Sequence, residues 1–267
     1  MVRFGYDGAG FAGWARQPGE RTVEGEIRRY LGRHPRVGLE GSLDVASRTD
    51  RGVSAIGNAF TLTSTLSGPT LLRALNGIAP TIFCTAAAEV SEDFRARRAR
   101  SREYRYFEPG ALRDVARVRS AARLLSGRID VRSFGRGLPS GAPVWREVES
   151  VMVRESKEEG FVYVVRAPSF VWGMVRKIVG ALREVDLGHL EPERLGRAVR
   201  GEERLTLPMA EAEPLVLWEV AYPIRWTHSW SGPTRPQRRG RETVRARSVA
   251  RLRVLSALEG AVPGPPP

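Results

Sequence analysis

The chain of 267 residues is 42% hydrophobic and 27% charged, a balance that excludes a low-complexity protein and leaves room for one large domain or two smaller ones. Its formal charge is 43 − 30 = +13, almost all of it from arginine, since Lys157 and Lys177 are the only lysines. A single cysteine, Cys84, excludes a disulfide or thiolate metal cluster within the chain, and His34, His189 and His228 stand at no ligand spacing, so no metal is expected.

The arginine excess has two readings that composition leaves open. Guanidinium groups pair with phosphates bidentately and stack on bases, which points to a polyanionic partner. A genome rich in guanine and cytosine would enrich arginine with no partner implied. Residue 2 already opens an apolar, strand-like run, leaving no place for a leader, and no uncharged stretch approaches bilayer-spanning length. A cytoplasmic protein with no membrane partner is expected.

Along the chain, Val2 to Asp7 reads as a strand leading into a loop from Gly8 to Gly19. Thr22 is placed to cap a helix running through Leu31, whose first turn is acidic as the helix dipole favours. Residues 41 to 62 read as strand, glycine-punctuated loop and strand, with Ser47 to Val53 as the loop and Ala59 to Leu62 as a β-rich run. A short helix is predicted from Pro69 to Leu75 and a strand from Thr81 to Glu89. Arg100 to Phe107 alternates around Tyr104 and Tyr106, so both rings fall on one face of a strand.

The pattern breaks around Pro109 to Val115, and a second series follows. It comprises a helix near 114 to 125, strands near 144 to 154 and 160 to 166, a helix from Val171 to Leu187, and a last strand from Leu215 to Tyr222. The division predicted is an N-terminal α/β half over 1–108, a C-terminal α/β half over 109–230, and a basic, proline-rich tail over 231–267. The tail carries eight arginines against Glu242 and Glu259, giving 8 − 2 = +6. Val249, Leu252, Leu255 and Leu258 could line a short amphipathic helix there, and a disordered basic tail is the alternative.

The segment from Val45 to Asn58 sets a carboxylate, Asp50, between Arg48 and Arg51 on a loop between strands. As a purely structural element, Asp50 would accept backbone N–H bonds in a turn and Gly52 would supply a positive φ. As a site, the same carboxylate would be available for chemistry. Spacing alone leaves both open.

This segment, with its Arg48-Thr49-Asp50-Arg51-Gly52-Val53 core, resembles the signature of tRNA pseudouridine synthases of the TruA type. Further segments match that family in the same order: Tyr6-Asp7-Gly8 through Gly13-Trp14 with Arg16-Gln17; Leu75-Asn76-Gly77 with Pro80 and Ile82; Phe94 to Arg97; Tyr104-Arg105-Tyr106; Gly127 to Phe134; Phe170 to Gly180; and Glu213 to Pro223. The likeness spans about residues 3 to 224, leaving the tail outside it. The family often carries a small residue where Arg51 stands and a histidine where Ser54 stands; Arg51 and Ser54 look more like its archaeal and eukaryotic branch.

The resemblance implies a pseudouridine synthase fold: an α/β (α+β) architecture of two related halves forming a continuous, mostly antiparallel sheet with flanking helices and a basic central cleft. It implies a homodimer acting on tRNA, with the anticodon stem-loop as target and no cofactor. Asp50 would be the catalytic carboxylate, acting as nucleophile or as base. Arg176 would sit beside it, Tyr104 would stack on the uracil with Tyr106 as the fallback, and Arg48 would hold or displace the flipped nucleotide. Arg16, Arg51, Arg97, Arg102 and Lys177 are candidate RNA contacts, within a dense arginine run that includes Arg95, Arg98 and Arg100. Taken one by one, the tyrosines also fit a strand core, and Arg176 and the run also fit a solvated surface.

Two other classes fit the charge. An RNA-binding protein that kept the fold and lost catalysis would show a broken active-site motif, whereas Asp50, Tyr104 and Arg176 all stand. A basic ribosomal protein would explain the charge and tail but gives no reason for the ordered motifs.

Overall fold

A computed structural model describes residues 1–32, 37–38, 43–77, 82–138, 141, 144–157 and 160–230. The tail over 231–267, with its predicted amphipathic stretch, lies outside the described residues, as do Pro80 and His34. In chain order the elements are β1 (Val2–Tyr6), α1 (Val23–Leu31), β2 (Val37–Gly38), β3 (Asp44–Val45), β4 (Ser54–Thr61), β5 (Thr63–Ser64), α2 (Gly68–Leu75), β6 (Ile82–Ala87) and β7 (Ser101–Phe107). Then come α3 (Val115–Leu124), β8 (Gly127–Asp130), β9 (Trp145–Val148), β10 (Ser150–Ser156), β11 (Gly160–Ala167), α4 (Met174–Asp186), α5 (Pro192–Val199), β12 (Leu215–Ala221) and β13 (His228–Ser229).

The α/β class expected from the sequence is what forms: one large mixed sheet, ordered β10-β11-β7-β12-β4-β1-β6-β13 with β3 added to β4, accompanied by five α-helices among the described residues. Among the described residues every pairing in that sheet is antiparallel except β12 with β4, where Val216 lies opposite Ser54 and Leu217 opposite Ala55. That parallel seam joins two antiparallel groups. β7, which ends at Phe107, lies with β10, β11 and β12 on one side of that seam.

Local chemistry explains the helix starts. Thr22 caps α1 as predicted, its hydroxyl accepting from Gly25 N–H at 3.2 Å, with Glu24 and Glu26 in the first turn. Asp114 caps α3 by accepting from Arg117 N–H at 2.8 Å. The predicted helix from Val171 instead begins at Met174, because Gly173 adopts φ 75°, a left-handed conformation that a helix interior cannot contain. Val171 and Trp172 are thereby left in a turn. α5 and β8 were not anticipated, and the strand predicted near 144 to 154 divides into β9, which pairs with β8, and β10. The Glu191-Pro192 start of α5 was a legible signal, since proline suits the first helical turn.

Beneath β1 and β4, Phe4 packs edge-on to Phe60 at 5.0 Å and against Trp14 at 5.5 Å, all three fully or almost fully buried. Each such side chain contributes about 1.5–3 kcal/mol by leaving water. On the β7–β12 side of the seam, Arg183 of α4 donates to Glu108, to Glu211 at 2.6 Å and to the Tyr106 hydroxyl at 3.0 Å. Glu108 is only 8% exposed at its side chain, and loss of Arg183 would leave that carboxylate buried without its cation. Arg183→Met is expected to destabilise the fold by about 3 kcal/mol, lowering Tm by roughly 6–12 °C in a thermal melt. An unchanged Tm would show the network to be ornamental.

Candidate active site

The loop from Ala46 to Val53 leaves β3 and re-enters the sheet at β4, beside the start of β12. Its backbone is pinned from below: Thr49 Oγ1 and Tyr6 Oη share a hydrogen bond of 2.7 Å, Trp14 N–H donates to the Thr49 carbonyl at 3.0 Å, and Asn58 Nδ2 donates to the Ser47 carbonyl at 2.9 Å. Gly52 turns the chain with φ 82°, as the sequence predicted, and Val53 N–H closes the turn on the Asp50 carbonyl. The turn reading and the site reading of this loop are therefore not exclusive: the backbone is a glycine turn, but among the described residues the Asp50 carboxylate accepts no backbone N–H.

The carboxylate instead faces side chains from across the seam. Asp50 Oδ1 accepts the indole N–H of Trp172 at 2.9 Å, and Oδ2 lies 3.4 Å from Nη1 of Arg176. Arg176 is itself held, its Nε donating to the Ala210 carbonyl at 2.6 Å while Ala210 N–H returns a bond to the Arg176 carbonyl at 3.1 Å. Asp50 remains 28% exposed at its side chain, so one face of it is open to the cleft.

That cleft encloses about 1380 Å³ and is lined from both sides of the seam, including Arg48, Asp50, Tyr104, Phe170, Trp172 and Arg176. Tyr104 lies in its wall, its hydroxyl 3.0 Å from Ser47 Oγ and its ring edge-on to Phe170 at 5.2 Å. Burial, opposed by the Ser47 hydrogen bond, raises the Tyr104 pKa, so the phenol stays protonated. Tyr106, on the same face of β7, is wholly buried, and its hydroxyl donates to Glu211 at 3.0 Å. It does not line the cleft.

The candidate RNA contacts divide. Arg48 and Arg97 are exposed and line the cleft. Arg51 also lines it, paired with Glu20 at 2.8 Å on the surface, and Arg16 is exposed outside the lining. Arg102 is 6% exposed, and its guanidinium is spent on the carbonyls of Ala46, Arg97 and Pro168. It points inward with Tyr104 and Tyr106, as its position two residues before Tyr104 requires. Lys177 donates to the carbonyls of Ser133 at 3.2 Å and Gly135 at 3.4 Å, and its pKa is lowered by burial and by Arg136 and Arg204 nearby. These two cations hold loops.

Trp172 falls within the Phe170 to Gly180 segment, which gives it no role of its own, and nothing in the sequence marks Arg136, whose guanidinium lies 4.9 Å over the Trp172 ring. Among the described residues, no three His, Cys, Asp or Glu side chains are grouped to hold a metal ion, and no helix is long and apolar enough to cross a membrane.

The chain is similar to known proteins over most of its length. The family described as tRNA pseudouridine synthase matches residues 121–223. The tRNA pseudouridine synthase A of Thermococcus kodakarensis is 40% identical over 231 residues, covering 83% of this chain and 84% of that protein. That of Pyrococcus horikoshii is 37% identical over 224 residues, covering 83% and 84%, and that of Methanocorpusculum labreanum is 37% identical over 255 residues, covering 91% and 83%.

Proposed function

This chain belongs to the tRNA pseudouridine synthase family, and we propose that it isomerises uridine to pseudouridine in tRNA with Asp50 as the reacting carboxylate. The observation that carries the assignment is the setting of that side chain: a carboxylate at the cleft, one face open, met by an indole and a guanidinium from across the parallel seam. A structural turn aspartate would have turned to the backbone instead.

The reaction breaks the C1′–N1 glycosidic bond, turns the uracil, joins C5 to C1′, and moves a proton from C5 to N1. No electrons are gained or lost overall, so the chemistry needs one group that can attack or remove a proton and a site that retains the free base. Asp50 supplies the group. Arg176 stabilises its negative charge and keeps it aimed, as a guanidinium fixed by a backbone carbonyl can.

The target uridine must leave its stack, at a cost of a few kcal/mol. Tyr104 offsets part of that by stacking on the uracil from the cleft wall, and Arg48 at the rim holds the extruded nucleotide. Arg97 and Arg51 reach phosphates at the same rim. The exposed Arg51–Glu20 pair is weak enough to be exchanged for a phosphate. Arg102 and Lys177, with their donors committed to carbonyls, are assigned to keeping the cleft loops in place rather than to RNA.

The working form we propose is a homodimer, with the anticodon stem-loop as the target. Mapping pseudouridine by chemical adduct formation and primer extension in an unmodified tRNA transcript is expected to give stops in that stem-loop. Stops confined to other regions would refute the target, and their complete absence would refute the activity.

A further inference from the structure

Trp172 is the most exposed large apolar side chain among the described residues, at 57%, yet it stands in the mouth of the cleft. Its ring has the Arg136 guanidinium 4.9 Å over it and is held to the site by one side-chain hydrogen bond, Nε1–H to Asp50 Oδ1. An indole left this open presents a broad apolar surface for which a nucleobase is a natural partner.

The two caps on the carboxylate are anchored differently. Arg176 is built into α4 and tied to Ala210, so its place beside Oδ2 is set by backbone. Trp172 precedes the helix cap Gly173, in a turn fixed by its own carbonyl, which accepts from Arg136 N–H at 2.9 Å, so the indole can leave Oδ1 without breaking that backbone bond. The open face of Asp50 admits a substrate atom to the carboxylate, and a group that is to take the position of the donor on Oδ1 must displace the indole, the donor not anchored to a backbone carbonyl.

We propose that Trp172 is a substrate-stacking residue that caps Asp50 until RNA arrives: the entering nucleotide displaces the indole from Oδ1, and the freed ring, backed by Arg136, stacks on a base of the RNA. The inference rests on reading the cleft as the site of uridine isomerisation. It adds a residue to the binding machinery and names Oδ1 as the oxygen that meets the substrate. Guanidinium on one face and base on the other is an arrangement that aromatic side chains accept readily.

The test uses the full chain and an unmodified tRNA transcript, with binding measured separately from turnover. Trp172→Ala is expected to weaken Kd about tenfold, and Trp172→Phe, which keeps a ring but no N–H, to recover most of that loss. Tryptophan emission should fall when tRNA is added to the wild-type protein, and should fall less in Trp172→Phe. An unchanged Kd in Trp172→Ala, equal weakening in both variants, or identical quenching in wild type and Trp172→Phe would each overturn the proposal. A parallel pseudouridine assay on the wild type keeps the two readings apart, since silence there would sink the isomerase assignment while the binding and emission results still decide the role of Trp172.

Discussion

Asp50→Asn is expected to lower kcat by at least about 10³-fold while the Kd for tRNA stays within about threefold. The substitution keeps the volume of the side chain and leaves an oxygen that can accept the Trp172 N–H, so the loop from Ala46 to Val53, pinned through Thr49 and Ser47, has no reason to move. What is lost is the anionic oxygen that attacks or takes up a proton, a function the amide cannot perform. Affinity is carried elsewhere, by exposed arginines at the rim and by stacking, and removing a negative charge from a basic cleft does not weaken phosphate binding. Single-turnover kinetics and filter binding separate the two effects. A variant within tenfold of the wild-type rate would remove Asp50 from the chemistry.

The next largest effect is expected at Arg176. A hydrogen bond to a charged group contributes about 1.5–3 kcal/mol, which corresponds to roughly 10- to 150-fold in rate if it acts in the transition state. The 3.4 Å separation from Oδ2 places the effect of Arg176→Met toward the lower end, near about 30-fold in kcat. Arg176→Lys keeps the charge but loses the Nε–H that grips the Ala210 carbonyl, so it should recover only part of the rate. A merely structural role would lower Tm and leave kcat of the folded fraction intact, and that outcome would count against the account.

Much of the architecture was legible because local signals agreed with the global fold. Thr22 and the acidic turn after it marked the start of α1, and the alternation around Tyr104 and Tyr106 marked β7. What escaped was decided by tertiary geometry or by one backbone angle. Gly173 reads as an ordinary small residue in an apolar run, yet its left-handed conformation ends the turn and releases Trp172 toward Asp50. Arg102 looks like its neighbours in an arginine run, and only the period-two parity it shares with Tyr104 betrays that it faces the core. The parallel seam between β4 and β12 joins strands some 160 residues apart, a distance over which periodicity carries no information. That seam puts Asp50 next to α4, and the order of motifs along the chain could indicate the partnership of Asp50 and Arg176 only through family likeness.

The most direct measurement incubates wild-type protein and Asp50→Asn side by side with one unmodified tRNA transcript, without added cofactor or metal, and quantifies pseudouridine in each. Pseudouridine is expected from the wild type alone, with both proteins binding the RNA. Equal product from both, or none from either while RNA binding persists, would contradict it.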